Sequence, residues 1–138
     1  MVLFSALYGA PHAVENSAAV PVAKQEMASS TTIENYTRAY YKDTPILAEI
    51  AKCESQFSQF DKDGNVVRGR KNKADVGIMQ INEYYHLEDS KNVGIDIYTI
   101  DGNLAYGKRL YDIYGTSAWK SSQKCWGKYD TSNDLAKN

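Results

Sequence analysis

A chain of 138 residues has the length of one domain, enough to bury a core of its own. Its formal net charge of -1 supplies no basic stripe of the kind that holds nucleic acid, which excludes that partner class. The 11 tyrosines suit either the padding of a small core or the stacking of sugar rings on amphipathic faces, and composition alone favours the padding.

Residues 1–30 show no clear periodicity. The apolar run at residues 2–10 is too short to span a bilayer. It reads either as the remnant of a secretory core, with Ser17-Ala18-Ala19 as a small-residue cleavage site, or as a disordered Ala/Val/Ser leader; no positively charged segment precedes it. Thr31-Thr32-Ile33-Glu34 has the form of a capping box and predicts a short helix to about Tyr41. Asp43-Thr44-Pro45 restarts a helix, with a capping side chain and a proline in the first turn. Ile46, Leu47, Ile50, Ala51 and then Phe57 recur at helical spacing, so one face is buried.

Glu54 follows Ile50 by four residues and Leu47 by seven, on that same apolar stripe. A carboxyl held there loses hydration and its pKa rises, which suits a general acid. The plain alternative is a glutamate at a fraying helix end that turns into water. Residues 57–75 predict a small β-hairpin, with Asp61-Lys62-Asp63-Gly64-Asn65 as the turn and Val66-Val67 as the returning strand. Asp61, Asp63 and Asn65 imitate the start of a calcium loop, but the glycine is misplaced and the closing Glu is missing, so the turn reading is preferred. Arg68, Arg70, Lys71 and Lys73 form a basic loop, which reads either as simply solvated or as suited to an anionic substrate.

Beyond this loop come Asp75 and the amides Gln80 and Asn82, with Met79 and Ile81 read as packing. His86 has no Cys, Ser or second His at useful spacing, which points to a structural or hydrogen-bonding role instead of a catalytic one. A polar connection over residues 96–103 leads to a helix carrying Leu104, Gly107, Leu110, Tyr111 and Tyr114, which stops at Gly115. Gly107 in its middle costs about 1 kcal/mol against Ala and implies close helix–helix packing. Trp119, Ser122, Cys125 and Trp126 end the ordered part, and residues 130–138 read as a polar tail.

Cys53-Glu54-Ser55-x-Phe57, followed by Asp75-x-Gly77-Ile78-Met79-Gln80-Ile81-Asn82, resembles the lysozyme-like superfamily. The nearest pattern is the soluble lytic transglycosylase domain, whose signature is E-S and then G-L-M-Q. The second segment is also similar to c-type lysozymes and to the short transglycosylases that accompany secretion systems. Asn103-x-x-x-Gly107-x-x-Leu110-Tyr111 is similar to the N-x-x-x-G-x-x-Y-L helix of transglycosylases. The likeness covers roughly residues 44–115. The family's A-Y-N-A-G segment is replaced here by S-A-W-K-S-S-Q-K-C-W, so its tyrosine has no counterpart, and Tyr106, Trp119 or Trp126 are the candidates to substitute.

The resemblance implies a mainly α (α+β) fold, with helices, a small β-hairpin wing and a cleft between them, over residues 31–129. It implies cleavage of the β-1,4 bond between N-acetylmuramic acid and N-acetylglucosamine in peptidoglycan glycan strands, with no cofactor, metal or membrane span in the catalytic domain. Glu54 would protonate the leaving oxygen and then take the proton of the muramyl C6 hydroxyl as the 1,6-anhydro ring closes. A water-using muramidase would add Asp75 as second carboxylate; the plain alternative for Asp75 is a hairpin cap or an ion pair with Arg68 or Arg70. Ser55, Gln80, Asn82, Tyr106 and Trp119 are the substrate-binding candidates. A Cys53–Cys125 bridge would tie the C-terminal segment to the catalytic helix, as in small secreted domains. A monomeric protein, secreted or in the cell envelope, follows from this reading. A wall-binding module without catalysis is the competing class.

Overall fold

The computed structural model describes residues 30–131, so the expected leader, apart from Ser30, and the tail from residue 132 lie outside the described residues. The first helix among the described residues, α1, spans Ser30–Tyr40, and Thr31 therefore lies inside its first turn instead of capping it. Glu34, expected to close a capping box, pairs with Arg38 one turn on at 2.9 Å. Helix α2 spans Ile46–Ser55 and begins without a side-chain cap. The chain turns out of α1 without opening, so backbone carbonyls do the capping: Thr44 O accepts from the Leu47 N–H at 3.0 Å and Pro45 O from that of Ala48 at 3.1 Å.

The apolar stripe of α2 is buried as its spacing predicts. Leu47, Ile50 and Ala51 are fully covered, and each large aliphatic side chain contributes about 1.5–3 kcal/mol relative to exposure. The wing departs from the expected hairpin. Phe60 and Val66 make only an isolated antiparallel bridge. The sheet proper is formed by β1 (Asp75–Val76) and β2 (Ile81–Asn82), antiparallel, with Asp75 opposite Asn82 and Val76 opposite Ile81. The Asp61 cluster is a turn, its Oδ1 accepting from the Asp63 and Asn65 amides at 2.9 and 3.0 Å.

Helix α3 (Glu83–Asn92) was not foreseen from the apolar pattern, because only Ser90 is buried on it. Its start is set by Asn82, whose Oδ1 accepts from the Tyr84 and Tyr85 amides. Helix α4 (Ile100–Tyr114) begins four residues before the expected Leu104, capped by Thr99, and ends at Gly115 as read. Gly107 is a close-packing position, but the neighbours that crowd it are not on a helix as expected. A Cβ there would come within 2.8 Å of Met79 Cγ and 2.9 Å of Tyr41 Oη, so the crowding comes from the wing and from the turn after α1. The described residues close with a 3-10 segment (Gly115–Ser122), the short helix α5 (Gln123–Trp126) and a 3-10 turn (Gly127–Tyr129). Cys53 and Cys125 are bonded, with Cα atoms 6.0 Å apart, which fastens α5 to α2. No helix among the described residues is long and apolar enough to cross a membrane.

Candidate active site

Glu54 sits in the last turn of α2, where the chain is forced to reverse. Gln56 and Phe57 both take left-handed backbone angles, φ 54° and 60°, a conformation that costs a non-glycine residue about 1–3 kcal/mol. What holds them is visible: the Gln56 N–H bonds to Lys52 O at 2.9 Å, and the buried Phe57 ring lies under the Arg38 guanidinium at 5.1 Å. Gln80 is the third such residue, φ 50°. Gln80 lines the cavity around Glu54, whereas Gln56 and Phe57 follow Glu54 in sequence and line a separate depression beside the disulfide.

Glu54 lines an open cavity of about 390 Å³ together with Asp75, Gln80, Asn82, His86, Tyr114 and Trp119. Burial pushes the Glu54 carboxyl up from its ordinary value; a hydrogen bond from Ser122 pulls the other way, and the charge of Asp75 raises it further. Ser122 donates to Glu54 Oε1. It stands 68 residues away in sequence and was invisible to pattern reading as a partner of the acid. A larger depression, about 480 Å³, lies around the disulfide on another face. Its two carboxylates, Glu34 and Glu49, are both taken up by Arg38, so the smaller cavity is the one with an available acid.

The candidate binding residues divide. Gln80 and Trp119 line the cavity, though each also has an internal bond: Gln80 Nε2 donates to Gly77 O at 3.0 Å and Trp119 Nε1 to Met79 O at 2.8 Å. Asn82 lines it too, capping α3 with its oxygen and donating from Nδ2 to Asp75 Oδ1 at 2.8 Å. Asp75 is thus oriented by Asn82. Arg68, one of its two suggested cation partners, pairs instead with Glu83 at 2.6 Å.

Ser55 turns away from its neighbouring acid. Its hydroxyl donates to Ile78 O at 2.8 Å and accepts from the Ser58 N–H at 3.1 Å, joining α2 to the wing. Tyr106 does not line the cavity; its ring is buried, and its hydroxyl donates to Asp89 Oδ2 at 2.9 Å beside His86 Nδ1 at 3.3 Å. Burial first and the Asp89 bond second push its phenol up to about 12. Tyr84 and Tyr85 are strongly exposed, edge to face, at the start of α3.

Two buried amides hold the segment that carries the site. Asn103 Oδ1 accepts from the Met79 N–H at 2.7 Å, while its Nδ2 donates to Val76 O and Ile97 O at 2.9 and 2.8 Å. Gln59 Oε1 accepts from the Ile78 N–H at 2.9 Å, and its Nε2 donates to Tyr98 O at 3.0 Å. Between them lies Gly77, φ 74°, where a Cβ would fall 2.4 Å from Asn103 Nδ2 and 2.5 Å from Gln59 Oε1. The glycine is required twice, by its backbone angle and by the amides that crowd it. Gln59 carried no signal in the sequence beyond its place between two phenylalanines. Among the described residues no cluster of His, Cys, Asp or Glu has the makings of a metal site.

No protein-family model, curated protein or solved structure matched the chain.

Proposed function

We propose that the protein cleaves peptidoglycan glycan strands as a lytic transglycosylase, with Glu54 as the acid and then the base. The observation that carries this reading is a carboxyl raised by burial, lining an open cavity large enough for part of a sugar chain, with amide groups beside it. Protonated Glu54 gives its proton to the glycosidic oxygen as the bond to the muramyl C1 breaks. The resulting carboxylate then removes the proton of the muramyl C6 hydroxyl, whose oxygen bonds to C1 and closes the anhydro ring. No water is consumed, and Glu54 ends protonated. Gln80 and Asn82 offer amide edges for N-acetyl and hydroxyl groups. The Cys53–Cys125 bridge suits an oxidising compartment, which supports a secreted or envelope location.

Digestion of purified peptidoglycan, with products read by mass spectrometry, tests the proposal. Wild type is expected to leave 1,6-anhydro-muramyl ends, and Glu54→Gln to lose about 10²–10⁴-fold in rate, the usual worth of general acid–base catalysis. Undiminished cleavage by Glu54→Gln would overturn it. One observation favours a second reading: Asp75 shares the cavity and its charge acts on Glu54, as the second carboxylate of a water-using muramidase does. Reducing muramyl ends, lost in Asp75→Asn, would establish that reaction instead.

A further inference from the structure

The Ser122 hydroxyl has three polar neighbours. Glu54 Oε1 lies in short contact, Trp119 O at 3.1 Å and Trp126 Nε1 at 3.0 Å. A serine hydroxyl has one proton to give and two lone pairs to offer. The Trp126 indole N–H can only donate, so it occupies a lone pair and turns the hydroxyl proton away from itself. Two acceptors compete for that proton, and the Trp119 carbonyl is also reached by the Trp126 N–H at 3.2 Å. The carboxyl oxygen of Glu54 is the acceptor that has no other hydrogen-bond donor among the described residues.

We propose that Ser122 is a positioning residue that holds Glu54 Oε1 as an acceptor and leaves Oε2 as the oxygen that carries and exchanges the reacting proton. The inference rests on the catalytic reading of Glu54 and deepens it. With Oε1 committed, the acid step releases the proton from Oε2 and the base step returns one to the same atom, so the side chain need not rotate between the two. The indole N–H of Trp126 polarises the hydroxyl and makes the chain Trp126 to Ser122 to Glu54 a single relay of hydrogen bonds. The disulfide at Cys125, three residues beyond Ser122, is bonded to Cys53, the residue before Glu54; it fixes the separation that the serine spans.

Ser122 stabilises the carboxylate more than the acid, because hydrogen bonds to an ionised acceptor are roughly twice as strong as neutral ones. The groups that share the cavity with Glu54 are Asp75 from β1, His86 from α3 and Tyr114 from α4. A carboxyl carbon NMR titration of Glu54, run also in an Asp75→Asn background, separates its midpoint from theirs. Ser122→Ala is expected to move that midpoint upward and to carry the alkaline limb of the pH–rate profile with it, while Ser122→Thr restores both. In wild type, the Trp126 indole N–H resonance is expected to shift with the Glu54 midpoint, a reading that needs no variant. A midpoint unmoved or lowered in a folded Ser122→Ala protein, or a Trp126 resonance indifferent to Glu54, would overturn the assignment. The carboxyl and indole NMR titrations, unlike the pH–rate profile, need no substrate, so they fail or succeed independently of the product analysis.

Discussion

Replacing Asn103 by Ala strips three internal bonds, two of them to the segment that carries Asp75 and Gln80 and one to the connection before α4. The buried Met79 N–H loses its acceptor, and Val76 O and Ile97 O each lose a donor. A stranded buried donor costs about 1–3 kcal/mol and each lost bond about 0.5–1.5, which brings the expected loss to about 2–6 kcal/mol. That is a large part of the 5–15 kcal/mol or so that holds a domain together. Urea denaturation followed by tryptophan fluorescence measures it directly. Both tryptophans are buried, and Trp119 bonds to Met79 O, so the probe sits beside the damage. Asn103→Asp sharpens the test. The acceptor for Met79 survives, but in the ionised form both donors are gone and a charge faces two carbonyls. Its deficit should therefore grow as pH rises through the buried aspartate's own elevated midpoint, and shrink in acid as the carboxyl regains a proton to donate. An Asn103→Ala protein within about 1 kcal/mol of wild type would refute the idea that side-chain amides support the site.

Two further outcomes follow from the electrostatics and the bridge. The folded state holds the Glu54 carboxyl above its unfolded value of 4.5, so the native protein retains a proton that the unfolded chain has lost. Stability is thus unaffected below that value, falls as pH rises through the window up to the folded midpoint, and levels off above it. Glu54→Gln removes the penalty and should be more stable than wild type at neutral pH, with the gap closing in acid; equal stability at every pH in paired melts would refute it. Reducing the Cys53–Cys125 bridge, whose partners are 72 residues apart, should cost about 4 kcal/mol on the chain-entropy account. Denaturation midpoints with and without reductant measure this, and a loss of less than about 1 kcal/mol would show that the native state is strained by the bond or that the reduced unfolded chain keeps structure.

The helical frame was legible wherever burial is periodic. Leu47, Ile50 and Ala51 on α2, and Leu104 and Leu110 on α4, announce themselves because a 3.6-residue period leaves a trace. Helix α3 leaves none, since its interior contact is a serine and its start depends on the Asn82 cap. The wing was misread for a related reason. Strands of two residues are too short for alternation, and Val76, Ile78, Met79 and Ile81 are all buried together. At the site, Glu54 was visible as an acid on an apolar stripe, and Asp75, Gln80, Asn82 and Trp119 do gather around its cavity. Ser122 was missed as the partner of the acid, because a contact across 68 residues has no local signature. Ser55 and Tyr106 fell to stronger competitors, the Ile78 carbonyl in one case and the Asp89 carboxylate in the other.

The long reach from Glu54 to Ser122 also sets an order of events as the chain folds. Turns of helix α2 form from local contacts within about a microsecond, although its 10 residues are too few to persist without packing. The pocket needs the wing, α3, α4 and residues 117–121 in place, and the Glu54 bond needs Ser122, contacts whose loop-closure entropy must be overcome before they return anything. Until the last of them docks, Glu54 lies in water as an ordinary surface carboxylate with an ordinary affinity for protons. Its acidity is therefore a property of the finished tertiary structure, absent from α2 alone and gained only when sequence-distant segments meet.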